Sequence, residues 1–367
     1  MVDAMHKIAP RIVDYRDFTR ELSALSREAY GEGRLLHGAL FLRSAEFYMF
    51  RGDAAKHLAR RQFVTTMREV FGVAADAYHK IPYEAGRLFA YRFTPRSPKS
   101  TIVVFGGFDS YIEELIPTAL FLRDAGYDVV AFEGPGQGAA LEEERLPFTA
   151  EWRRPVAAVL NYFRVEDVTL LGYSLGGGLA VRAAAYEPRV SRVVCDDILV
   201  NFHPALLRQL PPTKRRLLDA LMTARASTLV NALLGAAMRS SLVIDWGMKQ
   251  GMHSTGTSSP YDFLRAEMRF ETMSVSGMLT QDVLLMAGAE DHYVPLEQFS
   301  QQLRLLTKVR SVTARLFTRA EQAQNHVQVG DIGLSLDVIV TWLGGLEARD
   351  RHIGAHPAAG DGRSSAV

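Results

Sequence analysis

The chain has 367 residues, 48% of them hydrophobic and 23% charged, with 29 glycines and 15 prolines. That composition belongs to a globular protein with a buried core and excludes a collagen-like, low-complexity or wholly disordered chain. With 42 basic and 41 acidic side chains the net charge is +1, too little for the positive field of a nucleic-acid binder or a polybasic membrane patch.

A single cysteine, Cys195, excludes an internal disulfide and a cysteine-based zinc cluster. Its apolar run Val193-Val194-Cys195 reads as packed core. The segment Met1–Lys7 lacks a charged stretch followed by an apolar one, so no secretory signal is expected. The apolar piece Leu229–Ala237 is interrupted by Asn231 and too short to cross a bilayer. The expectation is a cytoplasmic protein with no metal and no organic cofactor. Its partners would be a small-molecule substrate and at most a second copy in a homodimer, with no nucleic acid and no membrane.

In chain order, residues 1–75 form an N-terminal helical region. Leu35, Ala39, Leu42, Ala45 and Phe47 recur there at helical spacing, with Arg and Glu on the remaining face. Two strand-like runs follow, Ala77–Ile81 and Leu88–Phe93, with Glu84-Ala85-Gly86 between them as a turn. From residue 100 the texture becomes strand, loop, helix. Strands are predicted at Thr101–Phe105, Asp128–Phe132, Val168–Leu171, Val190–Cys195, Val283–Met286 and Val312–Phe317. Helices are predicted at Glu113–Ala125, Ala150–Phe163, Leu175–Tyr186, Leu296–Leu306 and Ile332–Leu346. The strands are apolar without strict alternation, as in a parallel sheet covered on both faces. This α/β core comprises 76–202 and 274–347. The interval 203–273 is far longer than one crossover needs and reads as an inserted helical cap. The tail, 348–367, has no apolar period and is expected to be disordered.

The chemistry concentrates in Gly172-Tyr173-Ser174-Leu175-Gly176. A Gly-x-Ser-x-Gly string is weak alone, but this one follows a buried-strand pattern and opens a helical one, as a nucleophile elbow requires. Serine needs a base, and the base needs an orienting acid. In this topology they follow in the order serine, acid, histidine. Asp291 lies just past the strand Val283–Met286 and is preferred to Glu290 because the turn presents the later residue. Asp282 lies at the opposite end of that strand. His326 is the histidine with both the right order and the right post-strand loop. The oxyanion hole would combine the N–H of Leu175 with one from Phe105-Gly106-Gly107-Phe108-Asp109-Ser110. Phe108 is favoured there, with Gly107 as the alternative.

These residues resemble the FrsA-like α/β-hydrolases, which include 2,6-dihydropseudooxynicotine hydrolase and the polyketide-shortening hydrolases of the yellowish-green pigment type. The likeness rests on Gly106-Gly107-Phe108-Asp109-Ser110 with Glu113-Glu114, on Glu133-Gly134-Pro135-Gly136-Gln137-Gly138, and on the elbow. In the cap it extends to Trp246–Leu264, with Gly251-Met252-His253 and Ser259-Pro260-Tyr261-Asp262; Ala45-Glu46-Phe47-Tyr48 adds to it, for a span of about 30–345. The loop Gln324-Asn325-His326-Val327 is less acidic than the family's pattern. The resemblance implies an α/β-hydrolase fold, a Ser174–Asp291–His326 triad roofed by the cap and the N-terminal helices, and cleavage of esters or acyl-ketone carbon–carbon bonds.

Carbon–carbon cleavage also needs an acid for the departing enolate. Asp196, Asp197 and His253 are the candidates. Tyr173, Phe108, Trp246 and Met222, Met238, Met248 and Met252 suggest an apolar pocket. Tyr173, Asp197, Trp246, Met252 and His253 are thus the expected substrate-binding residues. The expected function is hydrolysis of a hydrophobic, polyketide-like small molecule through an acyl-enzyme. The alternatives are acyl transfer or cyclisation by the same triad, or a non-catalytic binding protein.

Overall fold

The computed structural model describes residues 1–355. It opens with four helices, α1 (Val2–Ile8), α2 (Tyr15–Gly31), α3 (Leu35–Glu46) and α4 (Ala54–Val70). Asp14 and Asp53 cap α2 and α4, each carboxylate accepting a first-turn N–H. Gly38 lets α3 approach α2, because a Cβ there would lie 2.8 Å from the Tyr30 ring. Ala39, Leu42 and Ala45 are buried as their spacing predicts. Helix α1 lies within the expected helical region 1–75.

Eight strands follow in one sheet. They are β1 (Tyr78–Tyr83), β2 (Gly86–Phe93), β3 (Thr101–Phe105), β4 (Asp128–Glu133), β5 (Val168–Tyr173), β6 (Val190–Asp196), β7 (Asp282–Gly288) and β8 (Ser311–Phe317). Their spatial order is β1-β2-β4-β3-β5-β6-β7-β8. β2 is antiparallel to both β1 and β4, and the remaining neighbours are parallel. β4, β5 and β7 are buried at every residue, so their sequences show no alternation.

The core helices are α5 (Ile116–Asp124), α6 (Gly138–Glu142), α7 (Arg153–Phe163) and α8 (Leu175–Ala184), with α14 (Leu296–Leu305) and α15 (Ile332–Ala355) closing the chain. Side chains from α7 and α8 pack on one sheet face, and those from α4, α5 and α15 on the other. The predicted helix from Glu113 begins as a tighter 3-10 turn, Ile112–Leu115, before α5. Between β6 and β7 lie α9 (Phe202–Leu206), α10 (Pro212–Thr223), α11 (Ser227–Ser240), α12 (Leu242–Thr255) and α13 (Pro260–Glu267). They share their own core of Leu218, Val230, Leu234, Phe263 and Leu264. The two ends of this excursion are stitched together: Thr272 N–H donates to Val200 O at 2.8 Å and Phe202 N–H to Phe270 O at 3.2 Å.

One boundary is corrected. The segment from 348, expected to be disordered, continues α15 to Ala355. The Arg349 guanidinium grips both oxygens of the buried Asp282, at 2.8 and 2.7 Å. This polar anchor replaces the missing apolar period. The rest of the expected tail, 356–367, lies outside the described residues. Among the described residues no single helix is long and apolar enough to cross a membrane.

Candidate active site

Ser174 stands between the last residue of β5 and the first of α8 with φ +57°. That left-handed backbone turns the chain sharply and lifts the side chain off the sheet edge. The turn requires its glycines. A Cβ on Gly172 would fall 2.0 Å from Gly176 O, and one on Gly176 would fall 2.7 Å from Gly106 O. The Ser174 N–H donates to Asp196 O at 2.7 Å, fixing the turn against β6.

His326 and Asp291 reach the same point from two loops at the same sheet edge. His326 Nε2 lies 2.8 Å from Ser174 Oγ, and its Nδ1 lies 2.6 Å from Asp291 Oδ2. The other Asp291 oxygen accepts N–H bonds from Tyr293 at 2.7 Å and Val294 at 2.9 Å. Burial opposes ionisation of Asp291, but hydrogen bonds, that from His326 foremost, outweigh it and hold the carboxyl below its usual range. Burial likewise opposes an imidazolium at His326, and the hydrogen bonds to Asp197 and Asp291 overcome it and push the ring's pKa up. The two carboxylates thus favour the protonated form of the ring. Glu290 points outward and pairs with Arg319 at 2.9 Å.

The loop after β3 rides against the elbow. A Cβ on Gly107 would lie 2.9 Å from Ser174 Cβ and 3.1 Å from Leu175 N. Gln137, in the Gly-Pro-Gly-Gln-Gly stretch, donates its side-chain amide to Gly106 O at 2.7 Å and Gly107 O at 2.8 Å. In a trans peptide the N–H points opposite the C=O. Pinning Gly107 O therefore turns the Phe108 N–H away from Gln137, and that amide has no partner among the described residues. The Gly107 N–H is engaged by Ser110 Oγ at 3.2 Å. Of the two sequence alternatives, Phe108 is the amide left free. The Leu175 N–H, at the first position of α8, has no intrahelical acceptor.

The expected substrate-binding residues divide. Trp246 lines a cavity of about 20 Å³ with Arg43, Phe47, Lys56, Asp109, Tyr111, Glu142 and Gln250, room for roughly one water-sized group. Its indole N–H donates to Phe47 O at 2.9 Å and its ring stacks on Phe47 at 4.6 Å. The structure corrects the other four. Tyr173, the last residue of β5, turns into the sheet core beside Ile116 and Met286. Met252 packs in the cap's own core, as do Met222, Met238 and Met248. His253 Nε2 is bound to Glu142 Oε1 at 3.0 Å, tying α12 to α6. Asp197 lies behind the imidazole, its Oδ2 3.2 Å from His326 Nδ1. Asp196 is sealed in the core with both carboxyl oxygens unpartnered, and burial raises its pKa well above the usual value.

Several residues of the site carry no local sequence signal. Arg43 is buried on α3, bonds Glu46 at 2.7 Å and Glu114 at 3.1 Å, and donates to Asp109 O at 2.6 Å. Lys56 Nζ meets Glu46 Oε1 at 2.7 Å, and so does the Tyr111 hydroxyl. Asp109 lines the cavity, and its carboxyl takes no hydrogen bond from another residue among those described. Burial, opposed in part by Arg43, pushes its pKa up to about 6. Tyr293 sets its ring edge-on to His326 at 5.1 Å. Asp197, Asp291 and His326 present ligand atoms within 4.8 Å of one another. The oxygens facing the ring receive its Nδ1 proton and the others receive N–H groups, so this is a hydrogen-bonded cluster rather than an open cation cage.

Comparison with known proteins agrees with the fold. Residues 104–315 match the family described as alpha/beta hydrolase fold. The chain is 30% identical over 248 residues to "Hydrolyase poxO" of Penicillium oxalicum, covering 62% of this chain and 58% of that protein. It is 28% identical over 313 residues to "20-hydroxy-prefusarin hydrolase FUS2" of Gibberella moniliformis, covering 76% and 73%. The solved structure of 2,6-dihydroxy-pseudo-oxynicotine hydrolase superposes with a TM-score of 0.60 at 16% identity, covering 91% of this chain and 88% of that one. The chain belongs to the α/β-hydrolase fold family.

Proposed function

We propose that this hydrolase cleaves an ester or an acyl-ketone carbon–carbon bond of a hydrophobic, polyketide-like small molecule through an acyl-enzyme on Ser174. The observation that carries the reading is the continuous hydrogen-bonded chain from Ser174 Oγ through His326 to Asp291, 2.8 and 2.6 Å long in its two links. Ser174 Oγ attacks the substrate carbonyl while His326 Nε2 takes its proton and Asp291 holds the imidazolium. The amides of Phe108 and Leu175 receive the oxyanion. With an ester, His326 returns the proton to the departing alkoxide. Water then attacks the acyl-enzyme, giving a carboxylate product and free serine.

Carbon–carbon cleavage leaves an enolate, and Asp109 is the acid best suited to it. Burial pushes its pKa up to about 6, and it is one of the residues lining the cavity. Asp196, Asp197 and His253 are each sealed or bound elsewhere. In this step the Asp109 proton goes to the enolate oxygen. The proton on His326 then restores Asp109 before water attacks. Phe47 and Trp246 supply an aromatic wall to the cavity, which the polar groups Arg43, Lys56, Asp109 and Glu142 also line.

The test compares wild type and Ser174→Ala on aryl esters and on β-diketone acids in oxygen-18 water, with products identified by mass spectrometry. Label in a carboxylate product of wild type alone supports hydrolysis, and the substrate set that turns over selects the bond. Serine-dependent product without label supports acyl transfer or cyclisation instead. Turnover retained in Ser174→Ala overturns the reading.

A further inference from the structure

Two carboxylates, not one, face the Nδ1 side of His326. Asp291 arrives from the loop after β7, and Asp197 from the end of β6. Asp291 Oδ2 lies 2.6 Å and Asp197 Oδ2 lies 3.2 Å from the same nitrogen. Each acid is braced by backbone amides of its own, and the two carboxyls also interact with each other. Asp197 Oδ2 accepts the Val327 N–H at 2.8 Å, and its Oδ1 accepts the Gly288 N–H at 3.2 Å. Asp291 is braced by the Tyr293 and Val294 amides. Asp197 is 1% exposed; its carboxyl is bonded by Gly288 and Val327 and lies against His326, and the residue lines a small buried cavity with Asp291.

We propose that Asp197 is a second acid for His326, a positioning residue that shares the Nδ1 proton with Asp291 and keeps the imidazole oriented when Asp291 is lost. The proposal rests on the serine-hydrolase reading for its kinetic arm and is independent of the substrate. A lone buried acid beside the base makes its loss severe, about 10⁴-fold in kcat for a single-acid triad. Here Val327, the residue after His326, is also tied to Asp197, so the ring's backbone and its Nδ1 are held by one carboxylate. The remaining groups facing His326 are Asp109 on the β3 loop, Asp196 on β6, and His292 and Tyr293 beside Asp291. None of them touches Nδ1 in the described structure.

The experiment uses the full chain with Asp197→Asn, Asp291→Asn and the double variant. It records kcat/KM on an aryl ester against pH, with the His326 ring titrated by nitrogen-15 NMR. Either carboxylate stabilises the imidazolium, so Asp197→Asn moves the acid limb and the His326 titration to lower pH. A purely structural residue would lower the rate at every pH without moving that limb. Asp291→Asn should lose about 10- to 100-fold, and the double variant should reach the ~10⁴-fold loss of a triad without its acid. Asp197→Glu should restore the limb toward its wild-type position. The idea is overturned if Asp291→Asn alone reaches the full loss, or if the His326 titration in Asp197→Asn matches wild type. The NMR arm needs no turnover, so an unaltered rate in Ser174→Ala would defeat the hydrolase reading without deciding the role of Asp197.

Discussion

Gln137 offers the sharpest test of how the loop after β3 is built. Its amide donates to Gly106 O and Gly107 O at 2.7 and 2.8 Å, and its Oε1 accepts the Gly134 N–H at 3.0 Å. The side chain is 2% exposed. Gln137→Leu keeps approximate size but strands two buried carbonyls and one N–H. Each bond of this kind is worth about 1 kcal/mol net, so unfolding free energy should fall by ~2–4 kcal/mol. The kinetic effect comes from the Gly107–Phe108 peptide, which is no longer held with its N–H turned from Gln137. Losing one oxyanion donor raises the barrier by about 3 kcal/mol, or ~10²–10³ in kcat. Because the oxyanion exists in the transition state, kcat should drop while KM changes little. Urea unfolding gives the first number, and steady-state kinetics well below the variant's melting temperature give the second. A variant that is destabilised as expected yet turns over at the wild-type kcat would show that Gln137 braces the loop without orienting the Phe108 amide.

Three further substitutions probe other joints. Gly107→Ala puts a Cβ 2.9 Å from Ser174 Cβ and 3.0 Å from Tyr173 O; the loop must back away, so kcat should fall about 10- to 100-fold and more than the melting temperature suggests. Glu46 is fully buried between Arg43 and Lys56; Glu46→Gln leaves both cations undercompensated and should cost ~3–5 kcal/mol in a urea titration, while an unchanged midpoint would refute the accounting. For Asp282, burial raises its pKa but the Arg349 hydrogen bonds outweigh it and hold it low. A depressed carboxyl stabilises above its unfolded value near ~4 and loses that contribution as pH falls. The stability gap between wild type and Arg349→Ala should therefore be present at neutral pH and close in acid.

What could be read from the sequence is what is encoded locally. The elbow is one strand, one turn and one helix, and the glycines that the turn demands stand two residues either side of Ser174. The order serine, acid, histidine then assigned Asp291 and His326 to loops at one sheet edge, where the structure brings them together. Side-chain direction was less legible. Tyr173 adjoins Ser174 in sequence but alternates into the opposite layer. Met252 and His253 lie on a helix whose faces cannot be assigned before its neighbours are known. Asp197 reads as a residue at the active edge, and it is, but whether it faces substrate or the back of the imidazole depends on the loop carrying His326, 129 positions later by residue number. The Arg349–Asp282 anchor is likewise long-range and polar, so a search for apolar periodicity ends the last helix early.

The N-terminal helices matter to the site because they support the loop after β3, which carries the Phe108 amide. Arg43 on α3 donates to the carbonyl of Asp109, next to Phe108. The same guanidinium lies 4.2 Å over the Tyr111 ring, and Tyr111 donates to Glu46 on α3. On its other side, Phe47 supplies the carbonyl and the ring that receive Trp246 of α12. The end of α3 and the residue after it therefore brace the β3 loop on one side and the cap on the other. The cap is held by further contacts as well: the Tyr48 ring lies 6.1 Å from Trp246, Lys249 Nζ sits 4.5 Å over the Phe50 ring, and the Phe148 N–H donates to Ser254 O at 2.7 Å. The β3 loop and the cap are thus positioned by the same short stretch of chain, Arg43 gripping the Asp109 carbonyl and Phe47 receiving Trp246, so a change in that stretch reaches both walls of the cavity.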